Sequence, residues 1–311
     1  MIPTSRLRTI AFSRAIFFCV ILLGLSSLFA PRSFAGLFTL VDDNSTATFD
    51  TDSQANAFNW VVDGVDQLFQ QAFWYRIGNV AEQSLDVLPH PVEGITDTNF
   101  DGNFDTLFVR YSGVGFRVDV RYALDGGTPG SRASDIAEQI SIVNLGTSPL
   151  DFHFFQYSDF ELNGTAANDS AVFTNANAVR QFEGVLSVSE TVITPVPNHR
   201  EIDFYPNTVI KLNDGVATTL NDTPIGVVVG PGDMTWAYQW DITLAAGGTF
   251  QISKDKQLSG VPEPATFSLL TAAAGLLFVL RRNPLGYAGT LDRSATGCRI
   301  ARRPRLGIGS R

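Results

Sequence analysis

Between residues 36 and 260, apolar and polar positions alternate along much of the chain. Thr106 to Ser112 sets Leu107, Val109 and Tyr111 on one face. Phe116 to Tyr122 alternates without a break, with Phe116, Val118, Val120 and Tyr122 against Arg117, Asp119 and Arg121. Successive side chains of a strand point to opposite sides, so a period of two predicts strands with one buried face. Ser112-Gly113-Val114-Gly115 joins the two runs and predicts a hairpin. In 136–145, Ile140, Ile142 and Asn144 share a side. Leu150 to Leu162 carries aromatics on both faces, the pattern of a strand covered twice. Further runs at 184–193, 201–205, 226–229 and 234–244 are separated by Gly, Pro, Asn and Asp. Asp63-Gly64 predicts a turn after Trp60-Val61-Val62. No long stretch repeats with the 3.6-residue period of a helix. The expected fold is all-β, an antiparallel β-sandwich of roughly ten or more strands.

The two ends follow other rules. Arg6, Arg8 and Arg14 precede an apolar run from Ala15 to Ala30, and Ser33-Phe34-Ala35 supplies small residues at the −3 and −1 positions. Residues 1–35 therefore predict a signal peptide cut by signal peptidase between Ala35 and Gly36. At the other end Val261-Pro262-Glu263-Pro264 forms an extended joint, because proline continues neither strand nor helix. The apolar run 265–280 follows and is closed by Arg281 and Arg282. It is short for a span of about 20 residues, but tilt or local thinning of the bilayer accommodates it. The arginine pair would hold that end in the cytoplasm. Residues 283–311 predict a basic, disordered tail.

The order of a Pro-Glu-Pro joint, a short apolar helix and an arginine pair over 261–282 resembles the PEP-CTERM sorting signal. That family occurs on exported proteins of Gram-negative bacteria that make exopolysaccharide. The resemblance implies an inner-membrane intermediate facing the periplasm, cleavage by an exosortase near Pro262-Glu263-Pro264, and delivery to the cell surface or beyond. Asn283 to Arg311 runs on past the point where such signals usually stop. The opening at 59–78, with Tyr157-Ser158-Asp159-Phe160, also resembles a cargo type that recurs with this signal. The signal is an address and leaves the role of the 36–260 ectodomain open.

Charge narrows that role. The chain carries 31 acidic and 22 basic residues, but twelve of the basic ones lie in 1–35 and 281–311. The acidic middle argues against nucleic acid, which calls for a basic footprint. Cys19 and Cys298 both fall outside 36–260, so this domain has no disulfide and no cysteine chemistry.

Three patterns suggest chemistry. Asp97, Asn99, Asp101, Asn103 and Asp105 place oxygen ligands at alternate positions around Gly102, which suits a structural calcium ion. Phe108 stands where an EF-hand needs a bidentate Glu, and a strand follows, so the loop resembles calcium loops between strands instead. Trp60, Trp74 and Tyr75, with Gln70 and Gln71, could stack on and bond to a sugar, against the ordinary reading that such aromatics are core. His90, His153 and His199 are scattered, and neither a zinc-type histidine pair nor a Gly-x-Ser-x-Gly elbow occurs. The expectation is a non-enzymatic structural or adhesive protein of the extracellular matrix. A carbohydrate-binding module of the exopolysaccharide is the alternative, and a glycoside-active enzyme comes third.

Overall fold

The alternating runs become strands with the expected buried faces. The computed structural model describes residues 36–260. The predicted signal peptide, sorting signal, helix 265–280 and basic tail lie outside the described residues. Among the described residues no helix is long and apolar enough to cross a membrane.

In chain order the strands are β1 (Leu37–Asp42), β2 (Ser45–Asp50), β3 (Asn56–Val62), β4 (Val65–Asp66), β5 (Leu68–Ile77), β6 (Gln83–Ser84), β7 (Val92–Thr96), β8 (Thr106–Gly113) and β9 (Phe116–Gly126). They continue with β10 (Ser134–Asn144), β11 (Leu150–Phe160), β12 (Asp169–Asn175), β13 (Ala178–Glu183), β14 (Leu186–Thr194) and β15 (His199–Phe204). A one-turn helix α1 (Asn207–Lys211) precedes β16 (Val228–Gly232), β17 (Met234–Leu244) and β18 (Thr249–Ser259). Two nine-stranded sheets result. The first runs β1-β2-β3-β5-β11-β17-β15, with β4 beside β3 and β6 beside β5. The second runs β16-β12-β13-β14-β18-β10-β9-β8-β7. Pairing is antiparallel throughout except between β3 and β5.

Local chemistry explains the turns. Asp63 and Gly64 both have positive φ, 50° and 82°, as a tight turn between β3 and β4 requires. Gly126 is needed for a different reason: a Cβ there would lie 2.0 Å from the Asp42 carbonyl oxygen. The predicted hairpin at 112–115 joins β8 to β9, with Gly113 opposite Phe116.

The sheets face each other over one aromatic-rich core. Phe160 stacks on Trp236 with centroids 5.1 Å apart, and Phe73 stacks on Phe154 at 5.3 Å. Within this apolar layer four charged side chains are almost wholly buried: Glu138, Glu190, Lys254 and Lys256. They oppose one another by register, Lys254 across from Glu138 and Lys256 across from Glu190. Burying charge is tolerable only when it is paired and hydrogen-bonded.

The outer face of the first sheet is also covered. Trp74, Phe155, Tyr157 and Ala237 pack there against Val209, Leu212 and Leu220, which belong to α1 and the chain after it. This is why β11 carries aromatics on both sides. The outer face of the second sheet is polar, and it positions the site described next.

Candidate functional site on the outer face of the second sheet

On β9 the inward residues Val118, Val120 and Tyr122 are buried, which turns Asp119 and Arg121 outward. On β10 the buried Glu138, Ile140 and Ile142 turn Gln139 and Ser141 outward. On β18 the buried Ile252, Lys254 and Lys256 do the same for Gln251, Ser253 and Asp255. Antiparallel register then lines these side chains up across four strands. Phe108, Arg121, Gln139 and Ser253 form one row. Arg110, Asp119, Ser141 and Gln251 form the next. Strands sit about 4.8 Å apart, so each row is a ladder of neighbouring side chains.

Two adjoining hollows follow the rows. One, of about 400 Å³, is lined by Phe108, Asp119, Arg121, Gln139, Ser141 and Gln251, with Thr194 at its rim. The other, of about 220 Å³, shares Arg121, Gln139 and Ser253 and continues over Ala123 and Ala137 to Asp255. Small residues at 123 and 137 leave the trough open, and the exposed Ile193 adds an apolar wall.

Electrostatics fix the side chains of this groove. Arg110 grips Asp119 through two bonds, Nε to Oδ1 at 2.7 Å and Nη2 to Oδ2 at 2.9 Å. Arg117 Nε stands 3.4 Å from Asp119 Oδ2. The Arg110 guanidinium also lies over the Phe108 ring at 5.7 Å. At the far end Asp135 faces Asp125 across β9–β10, and Asp255 sits on the neighbouring strand. Burial, with the hydrogen bond and charge of Asp255, pushes the Asp135 carboxyl up to about 7. One carboxyl of this group therefore still carries a proton near neutrality.

The residues singled out from the sequence lie elsewhere. Trp60 is buried between the sheets, its indole N–H donating to Ser134 Oγ at 3.2 Å. Tyr75 is also in the core, stacked on Phe152 at 5.9 Å, and its hydroxyl donates to Gln83 Oε1 at 2.9 Å. Trp74 lies under the α1 cover, its indole donating to Asn213 Oδ1 at 3.2 Å. The expectation that these three stack on a sugar is corrected: none has a ring face open to solvent, because both sides of their strands are covered. Of the two glutamines, Gln71 is buried and donates to Glu138, while Gln70 Nε2 donates to the Gln54 carbonyl.

The 97–105 loop joins β7 to β8 and is held by its own carboxylates. Asp97 accepts from the Phe100 and Gly102 amides at 2.6 and 2.9 Å. Asp105 is buried and accepts from the Thr98 and Asn99 amides and from the Thr98 and Thr106 hydroxyls. Asn99 Nδ2 donates to Asp42, and Asn103 donates to Asp101 through its amide and side chain. Burial opposes it, but the bonds from Thr98, Thr106 and the Asn99 amide hold the Asp105 carboxyl below its usual range. Among the described residues no three His, Cys, Asp or Glu side chains converge as a metal centre.

Two histidines that look scattered in sequence meet at Asp241. His153 Nδ1 bonds its Oδ1 at 2.5 Å, and His199 Nε2 lies 3.3 Å from its Oδ2. The groove residues had no distinguishing signal: outward Arg, Gln and Ser on strands look like any solvated face. Only the register joins them.

No protein-family model and no curated protein matches the chain. Solved structures do. A bacterial glucoamylase complexed with acarbose is similar over 80% of this chain and 34% of its own, at 11% identity and a TM-score of 0.50. The chain thus spans about a third of that enzyme's length. A GalM/aldose epimerase homologue from C. elegans is similar over 73% of this chain and 100% of its own, at 9% identity and a TM-score of 0.47. The first likeness establishes a shared fold. It also corrects the expectation of a non-enzymatic protein, which rested on the absence of familiar motifs: this sandwich is a fold found in a sugar-acting enzyme.

Proposed function

We propose that the domain binds a carbohydrate chain in the groove on the outer face of its second sheet and acts on it there. The observation that carries this is the pair of ladders, Phe108–Arg121–Gln139–Ser253 and Arg110–Asp119–Ser141–Gln251. Sugar hydroxyls need alternating donors and acceptors, which guanidinium, amide and hydroxyl side chains supply, while the Phe108 ring and Ile193 meet the apolar face of a pyranose. An open trough over several strands suits a chain rather than a single small molecule. The shared fold with a glucoamylase supports the same substrate class. Asp135, beside Asp255 at one end of the trough, is the group able to give and take a proton near neutral pH. This reading takes precedence over a purely structural or adhesive role.

The setting proposed for this activity is the exopolysaccharide outside the cell, reached after exosortase cleavage at the Pro262-Glu263-Pro264 joint. Arg121→Ala and Gln139→Ala should each weaken binding of a host polysaccharide fragment by roughly tenfold, the worth of one or two hydrogen bonds. Both should leave the melting temperature unchanged. Undiminished affinity in the double variant would overturn the assignment of the groove.

A further inference from the structure

The four charges buried between the sheets are accompanied by an amide in an unusual position. Gln156, on β11 of the first sheet, is wholly buried. Its Oε1 accepts from Lys254 Nζ, on β18 of the second sheet. Its Nε2 donates to both carboxylate oxygens of Glu190, at 2.8 and 2.7 Å, and to Ser158 Oγ at 2.9 Å. Lys254 Nζ also stands 2.5 Å from Glu138 Oε2 and 3.5 Å from Glu190 Oε1, over the Phe73 ring at 5.1 Å. Glu138 in turn receives Lys256 Nζ, and Gln71 Nε2 at 2.6 Å. A nucleophilic amine, an acyl donor with a volatile leaving group, and carboxylates on each of them are thus held together away from water.

We propose that Lys254 and Gln156 become joined by an isopeptide bond that ties the two sheets together. The Lys254 ammonium passes one proton to Glu138. The free amine attacks Gln156 Cδ, the carbon bonded to the oxygen it already touches. Its second proton travels through Glu190, which contacts both Nζ and Nε2, to the departing nitrogen. The Cδ–Nε2 bond breaks, the Nζ–Cδ bond remains, and ammonia leaves. One proton stays on Glu138, so Lys256, Glu138 and Glu190 together are neutral. No oxidant or cofactor is required.

Three features favour this chemistry here. Burial pulls Lys254 below the ordinary lysine range, so the amine form is accessible. The carboxylates are preplaced, which removes the cost of gathering them. A dry interior protects the product from hydrolysis. Glu138 is a poorer acyl donor than Gln156, because its carboxyl is ionised: burial opposes this, but the two ammoniums outweigh it and hold it down to about 2.

The test is peptide mapping of the natively folded full chain. Residues 133–180 contain no internal Lys or Arg, and neither do 212–253. Trypsin should therefore release 133–180 joined to 212–256, uncut at Lys254 and lighter than the two peptides together by the mass of ammonia, about 17 Da. Fragmentation should place the link at Gln156 and Lys254. Glu190→Gln should abolish the branched peptide and restore cleavage at Lys254. Recovery of only linear peptides from the wild-type protein, cut after Lys254, would overturn the proposal whatever the variant does. A folded Glu190→Gln protein that keeps the link would overturn the role given to Glu190.

Discussion

Trp74→Ala separates a buried structural tryptophan from a sugar platform. Trp74 is fully buried under α1 and the chain following it, edge-on to Tyr157 at 6.2 Å and bonded to Asn213. Truncating a buried aromatic to alanine costs about 3–5 kcal/mol, from lost transfer energy and the cavity left behind. The indole bond to the half-exposed Asn213 adds little, since water replaces it. A domain of this size shifts by about 2–4 °C per kcal/mol, so the melting temperature should fall by about 6–20 °C. Differential scanning calorimetry of the purified protein reads the shift, and a glycan-binding isotherm well below the transition reads affinity. The expected pattern is a large thermal loss with binding retained. A shift under about 3 °C with binding abolished would mean that Trp74 meets ligand, and that the cover over this face is not what holds it.

Stability should fall from mildly acidic to mildly alkaline solution. Burial, aided by neighbouring carboxylates, pushes Asp135, Asp159 and Asp169 up to about 7, so the folded state binds their protons more tightly than the unfolded chain. Their contribution is complete below the ordinary carboxylate range and is lost as pH rises through about 7. Glu138, held down to about 2, works in reverse and is lost as pH falls toward that value. Urea midpoints should therefore be higher at about pH 5 than at about pH 8; a midpoint that rises steadily from 5 to 8 would refute this. For the 97–105 loop, millimolar calcium should raise the melting temperature and Asp101→Ala should remove the rise, whereas identical curves in chelator and calcium would reject a calcium site. For sorting, replacing Pro262 and Pro264 should leave an uncleaved protein in the inner membrane, and a released form still carrying 265–311 would refute exosortase processing.

The hairpin of β8 and β9 was legible because every inward residue from Phe116 to Tyr122 is apolar and every outward one charged. β17 was legible to the residue for a similar reason, its aromatics bounded by Gly232-Asp233 and Ala245-Ala246. β18 was not. Its inward face reads Ile252, Lys254, Lys256 and Leu258, and alternation alone assigns lysines to solvent. They turn inward because Glu138 and Glu190 wait on the flanking strands, and that match exists only once the register is known. The cover of the first sheet failed to show for a related reason. Residues 206–227 look like a polar loop, yet Val209, Leu212 and Leu220 suffice to seal a face whose aromatics then resemble a binding platform. The groove residues are mostly polar and become neighbours only across strands, so the groove left no trace along the chain.

The place of β18 bears on the order in which the molecule can be assembled. This final 11-residue strand lies between β14 and β10, in the interior of its sheet, and brings both buried lysines. Until it arrives, β10 and β14 have no partner on that side, and Glu138 and Glu190 have no counter-charge. A chain emerging from its N-terminus can lay down β8 to β10 and the other sheet, but the second sheet stays in two halves. Closure awaits Thr249–Ser259, so the domain commits to its final form only when almost all of it is available to fold.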